Sequence, residues 1–288
     1  MPTTIDQGFA KLRQNLEITD LQERTVSTRQ QNVREAVVRD LTVLDSFLTG
    51  SYRRNTMIAP LSEADIDIFV VLSSEYYQPD GQAALLDRVK RVLQKTYPKT
   101  PDISRNGQAV TITFTDFKVD VVPAFNRQGG GYLIPDSVLR QWIATDPKKH
   151  VEIWSGANRV HDGNLVPLIK MLKGWNKQHS ALLRSFHLEV LILQILNNVT
   201  ISNFPSGVRY VFDKAQVQVF AGAYDPAGYG ANVGAYLNTQ EKLKAVLSRL
   251  QTAYQRAVDA ERLTSVGRVQ QAYEKWRLVF GDYFPTYG

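Results

Sequence analysis

Two aspartates stand two residues apart in Asp65-Ile-Asp-Ile-Phe-Val-Val-Leu72, and a third, Asp120, lies in Phe117-Lys-Val-Asp-Val-Val122. Both runs read as strands, the first polar on one face at its start and apolar at its end. Side chains two apart on a strand leave the same face, so Asp65 and Asp67 share one face while Ile66 and Ile68 point into a core. Lys118 and Asp120 share a face by the same parity, with Val119 and Val121 opposite. Pairing the two strands would gather three carboxylates. Bare carboxylates that close raise one another's pKa, and divalent cations relieve the repulsion. Mg²⁺ takes carboxylate and phosphate oxygens, and a pair of such ions clamps the attacking and leaving oxygens of a phosphoryl transfer. In that chemistry Asp65 and Asp67 hold the metal on a triphosphate. Asp120 helps hold the second metal and accepts the proton of the attacking hydroxyl.

An isolated Asp-x-Asp at a strand start is commonly just solvated. A second feature argues otherwise here: Gly50-Ser-Tyr-Arg-Arg-Asn-Thr56, shortly before the strand. Glycine lets backbone approach a phosphate closely. The Ser51 hydroxyl and neighbouring amides donate to phosphate oxygens, and Arg53, Arg54 and Thr56 add donors.

The elements that must position these groups follow from apolar spacing. Residues 6–17 read as a short helix. Residues 20–48 read as a long one, carrying Leu21, Val33, Val37, Leu41, Leu44 and Leu48, capped by Thr19 or Asp20 and stopping at Gly50. Residues 82–96 form an amphipathic helix. Strands follow at 109–114 and 117–122, the second closed by Pro123. Residues 126–136, with Gly129-Gly-Gly131, read as loop. Helices are expected over 162–177, 185–198, 239–262 and 264–280, and the turn-rich 203–234 holds one strand at 215–220. The layout is an α/β lobe over residues 1–160 followed by a helical lobe over 161–288.

Composition sets wide bounds. The 288 residues are 43% apolar, enough for a large core. No run approaches the roughly 18 apolar residues that span a bilayer, and the N-terminus lacks the basic and apolar regions of a secretory signal. A cytoplasmic protein without membrane contact is expected. There are no cysteines, which excludes disulfides and thiolate metal sites. The net charge of +6 suits an anionic partner such as a nucleotide.

Gly50-Ser51, Asp65-Ile-Asp67 and a later strand Asp120 together resemble the polymerase-β-like nucleotidyltransferases. More narrowly, the chain resembles the bacterial cGAS/DncV-like nucleotidyltransferases of anti-phage (CBASS-type) defence, relatives of animal cyclic GMP-AMP synthase and oligoadenylate synthase. The resemblance covers most of the chain. It implies an α+β fold: a polymerase-β-like core, with a mixed sheet and a long spine helix, plus a C-terminal helical lobe closing the active-site cleft. Residues 20–48 resemble the spine helix. Lys170-Met-Leu-Lys-Gly-Trp175 and Ser185-Phe-His-Leu-Glu189 resemble the helical-lobe pattern whose lysine and serine contact the triphosphate, which assigns those contacts to Lys173 and Ser185. Asp225-Pro226 and Asn232-Val233 resemble an element lining the nucleotide cleft, which adds Asn232.

The implied activity condenses nucleoside triphosphates, ATP or GTP by expectation, into a cyclic di- or oligonucleotide with release of pyrophosphate. It implies two Mg²⁺ ions, with Mn²⁺ as a substitute, and a nucleotide-responsive effector downstream. Animal DNA-sensing members carry a zinc-binding insertion built on cysteines and histidine. This chain has none, so no DNA activator is expected. The terminal Gly288 is compatible with a ubiquitin-transfer-like partner.

Read alone, the helical-lobe residues keep simpler alternatives. Lys173 can be a solvated helix lysine, Ser185 an N-cap and Trp175 core. Tyr224 and Tyr229 either stack on a base or pack in their glycine-rich loop. His150, His161, His179 and His187 show no metal-ligand spacing. Two rival functions also stay open. The same core could transfer nucleotides to RNA 3′ ends or to a protein target, although no RNA-binding module is visible. A catalytically dead nucleotide sensor is disfavoured by the intact aspartates.

Overall fold

The computed structural model describes residues 2–288. The chain divides into two compact units, one of residues 18–153 and one that joins the residues up to 17 with 154–288. Two helices open it, α1 (Ile5–Leu16) and α2 (Asp20–Asp40), each started by a capping box, Thr4 with Gln7 and Thr19 with Gln22.

The helix expected over 20–48 ends early. Leu41 closes α2 in extended backbone, and Val43–Leu48 forms strand β1. Leu41, Leu44 and Leu48 continue the helical spacing, but the backbone from 43 to 48 finds antiparallel partners between Val43↔Leu72 and Leu48↔Ile68. Ladder pairing overrides local pattern. The turn carrying Gly50 therefore follows a strand, and is itself the short helix α3 (Gly50–Arg53).

Strand β2 (Asp65–Leu72) and helix α4 (Gln82–Thr96) fall where the sequence places them. With β3 (Ile103–Asn106), β4 (Ala109–Thr113) and β5 (Lys118–Asn126) the sheet order is β1-β2-β5-β4-β3, and β2 and β5 run parallel. Pro123 does not close β5. The strand pairs with β4 over 118–121 and with β6 (Tyr132–Asp136) at 125–126, so Pro123 falls between neighbours on that side, where a residue without N–H is tolerated. Strand β6 falls inside 126–136, which was expected as loop, and pairs with strand β7 (Gln141–Thr145) as a hairpin.

The sheet has two different faces. Ile66, Ile68, Val70, Val110, Ile112, Val119 and Val121 share a buried cluster with Val33 and Val37 of α2 and Leu86 and Val89 of α4. Phe69, Val71, Ala124 and Ile134 form a separate apolar cluster. By strand parity that second cluster lies on the face of Asp65 and Asp67.

Helices make up the other unit: α6 (Leu165–Gln178), α7 (Ser185–Ile195), α8 (Phe204–Gln218), α9 (Gln240–Ser265) and α10 (Val269–Phe280). They are preceded by α5 (Pro147–Val160), which contains the division between units and which the sequence reading missed. The strand expected at 215–220 is absent and 203–234 is not all turn. Asn203 caps α8 and Pro205 sits in its first turn, while Val208, Val211, Phe212 and Ala215 are buried at helical spacing. Phe9 packs edge-on against Trp276 at 4.9 Å and Phe284 at 5.4 Å, with Leu12 and Leu16 buried alongside. Those contacts group α1 with the helical unit, whereas a boundary at 160 would leave it with the sheet. Among the described residues, no helix is long and apolar enough to cross a membrane.

Candidate active site

Strand register brings the aspartates together. Asp67 stands directly opposite Asp120 and Asp65 opposite Lys118 across the parallel β2–β5 pair. Opposed residues on neighbouring strands share a face about 4.8 Å apart. Asp65 is exposed, Asp67 and Asp120 half-buried, so the carboxylates open to solvent above the apolar cluster of Phe69 and Val71.

The Gly50 turn abuts this row. The Thr49 amide donates to the Asp67 carbonyl at 2.9 Å, and the chain then turns into α3. Gly50 has φ +65, and a Cβ built there would lie 1.7 Å from Asp67 Oδ2. Only glycine allows that carboxylate to lie against this backbone. The Ser51 and Tyr52 amides, in the first turn of α3, have no intrahelical partner, and the Ser51 hydroxyl has no hydrogen-bond partner among the described residues. The Ser51 carbonyl accepts from the amides of Thr56 at 2.8 Å and Met57 at 3.2 Å. Thr56 itself is buried, so it is a structural residue of the turn and not the phosphate donor the sequence suggests. Arg53 is exposed.

Asp120 is held from the neighbouring strand. Thr111 Oγ1 donates to its Oδ1 at 2.5 Å. Burial pushes the Asp120 carboxyl above its ordinary value and Asp65 pushes the same way, while the Thr111 hydrogen bond and Lys118 pull it down. Thr111 is the site residue the sequence reading missed. Its signal was the alternation Val110-Thr-Ile-Thr113, which puts both threonines on one strand face.

Among the described residues, no group of three or more histidine, aspartate or glutamate side chains is gathered closely enough to hold a metal ion alone. The oxygen-only donor set still fits a hard cation such as Mg²⁺, which keeps several waters and takes one or two carboxylates together with substrate phosphates.

The remaining candidates lie on the helical unit. Lys173 is buried, with its ammonium 3.2 Å from Glu189 Oε1, which is also buried; the solvated-lysine alternative is wrong. Removing one partner of such a pair leaves an uncompensated charge. Lys173→Met is therefore expected to cost about 3–5 kcal/mol of stability, read as a lowered denaturation midpoint against wild type. Ser185 is the first residue of α7, exposed, and follows the cap position held by Arg184. Asn232 fastens its own loop: its Oδ1 accepts from the amides of Ala223 at 3.0 Å and Gly234 at 2.8 Å. Asp225 does the same for Ala227 and Gly230, at 3.0 Å each.

His187 ties α7 to that loop through Tyr236 Oη at 2.9 Å, and Tyr236 Oη also accepts from the Arg184 amide at 2.8 Å. Burial lowers the His187 pKa to about 4. The imidazole is thus neutral when folded and titrates near 6.5 when unfolded. Its contribution is complete above pH 6.5 and is lost as pH falls toward 4. Wild type is expected to lose on the order of 2 kcal/mol more than His187→Leu between pH 7 and pH 4.5, measured by paired urea melts.

Residues 3–158 match the family described as the Second Messenger Oligonucleotide or Dinucleotide Synthetase (SMODS) domain. That stretch is more than half the chain and includes Gly50, Ser51 and all three aspartates. The chain belongs to this family. The synthetase is 27% identical to a cyclic AMP-AMP-AMP synthase of an Acinetobacter strain, over 83% of its own length and 72% of the relative's. It is 28% identical to a probable cyclic nucleotide synthase of Bacillus cereus, over 83% and 81%.

Solved structures share the fold. The structure of Escherichia coli CdnC with ATP superposes with a TM-score of 0.78 at 19% identity, covering 97% of this chain and 98% of that one. Vibrio cholerae DncV, a cyclic AMP-GMP synthase, gives 0.69 at 16%, covering 84% and 70%. The family's description names the activity that goes with this core, synthesis of a second-messenger oligonucleotide or dinucleotide, and the solved structures share its fold.

Proposed function

We propose that the synthetase joins purine nucleoside triphosphates into a cyclic oligonucleotide on the face formed by Asp65, Asp67 and Asp120, with release of pyrophosphate. The observation that carries this reading is the placement of Asp67 between Asp120, its register partner, and the Gly50 backbone. Divalent metal, when bound, neutralises the triphosphate and acidifies the attacking ribose hydroxyl. Asp65 and Asp67 would hold that metal on the donor triphosphate. Asp120 lies one strand away and receives the hydroxyl proton. Ser51 and the α3 amides offer donors to phosphate oxygens, and Arg53 adds positive charge. With little covalent chemistry for the protein to do, catalysis is mainly positioning and charge neutralisation.

For Ser185 a phosphate contact fits its exposed hydroxyl. For Lys173 the family resemblance supports a phosphate contact, although its ammonium already faces Glu189. Asn232 braces its own loop from within, and only the family resemblance supports a nucleotide contact there. The antiviral role is supported by Escherichia coli relatives named CBASS oligonucleotide cyclase CdnC, 25% identical over 51% of this chain. A nucleotide-responsive effector would read the product.

The test is incubation of the purified protein with all four labelled triphosphates and Mg²⁺, with and without an RNA oligonucleotide. A phosphatase-resistant purine product without acceptor supports the reading. Extension of the RNA with no acceptor-free product overturns it in favour of a tailing enzyme.

A further inference from the structure

We propose that Thr111 is a positioning residue for Asp120: its hydroxyl fixes one carboxylate oxygen and so leaves the other presented to the metal and the attacking hydroxyl. This rests on Asp120 belonging to the catalytic carboxylate set.

Thr111 stands opposite Asp120 in the β4–β5 register and donates to Oδ1 at 2.5 Å. The terminal torsion of an aspartate is broad and roughly two-fold, so a carboxylate on an open strand face samples many orientations. A single well-placed donor selects one. Three features make this donor rigid. Threonine is stiff about χ1 because its β-carbon is branched. Thr111 is itself buried, at 7% exposure. Its neighbours Val110 and Ile112 are locked in the cluster beneath the sheet, so β4 cannot slide.

The two inner carboxylates are thus held by different means. Asp67 lies against the Gly50 backbone, an approach that only glycine permits. Asp120 takes its hydrogen bond from Thr111 on the adjacent strand. Lys118 shares the face but makes no ion pair among the described residues, so it supplies charge and not orientation.

Removing a hydrogen bond that orients a metal-binding carboxylate typically weakens metal affinity or activity 10–100-fold. Thr111→Val keeps the shape and removes the donor; Thr111→Ser keeps the donor. Mn²⁺ binding to each variant, in the presence of a non-hydrolysable ATP analogue, is read from the electron paramagnetic resonance signal of free Mn²⁺. Thr111→Val is expected to bind Mn²⁺ about 10–100-fold more weakly, with kcat falling by a similar factor and KM for the triphosphate little changed. Thr111→Ser is expected within a few-fold of wild type. Wild-type Mn²⁺ affinity in Thr111→Val overturns the proposal, as does a Ser variant as defective as the Val variant. If Thr111→Val does not fold, Thr111→Ala takes its place under the same two criteria. An Asp65→Asn, Asp67→Asn control separates the two levels. If that control is inactive while Thr111→Val is normal, only the positioning role fails; if it stays active, the site reading fails first.

Discussion

Replacing Asp65 and Asp67 together by asparagine will lower product formation by at least about 10³-fold while leaving the fold intact. Asparagine has nearly the shape of aspartate, so the contact against Gly50 survives. What disappears is two negative charges on a solvent-facing strand start, where Asp65 is exposed and Asp67 half-buried. The larger core cluster lies on the opposite sheet face with Ile66 and Ile68. Stability should change little, because removing the Asp65 charge relieves its repulsion of Asp120. A melting temperature and a turnover assay on the same preparation check both halves. A folded double variant with wild-type turnover would remove the metal-centre assignment.

Gly50→Ala will be nearly as damaging to turnover, although it adds one methyl group at a residue with no ionisable chemistry. The added carbon would lie 1.7 Å from Asp67 Oδ2, well inside any van der Waals contact. Either the carboxylate swings off the row or the turn carrying Ser51 moves. The left-handed backbone at φ +65 adds strain of about 1 kcal/mol for any residue with a β-carbon. Misplacement of a catalytic group by about 1 Å costs on the order of 10²-fold in rate. A 10²-fold or larger fall in kcat with a stability loss of about 1–3 kcal/mol is therefore expected. Turnover of Gly50→Ala within a few-fold of wild type would mean that Asp67 does not work from its observed position.

The strand faces were more legible than the scaffold. Parity, a two-residue rule that needs no knowledge of the fold, puts Asp65 and Asp67 on one face, whereas it takes the β2–β5 register to set Asp120 opposite Asp67; β2 and α4 follow from strong local pattern. Strand β1 was hidden because Leu41, Leu44 and Leu48 keep helical spacing, and only the ladder with β2 decides against it. Helix α8 was hidden by the turn-forming Asn203-Phe-Pro-Ser-Gly207 that in fact starts it. Thr111 could not be assigned without the register that sets it opposite Asp120. The sequence offers Thr56 as an available donor and leaves Lys173 open as a solvated lysine because burial is a tertiary property: one lies inside its turn, the other beside Glu189.

The most direct test of the central claim is a crystal of the synthetase grown with Mn²⁺ and a non-hydrolysable ATP analogue, examined for anomalous scattering. Anomalous density is predicted against the carboxylates of Asp65 and Asp67, within reach of Asp120, with the triphosphate running toward Ser51. Ordered nucleotide with its metal held elsewhere, or with these three carboxylates free of it, would contradict the account.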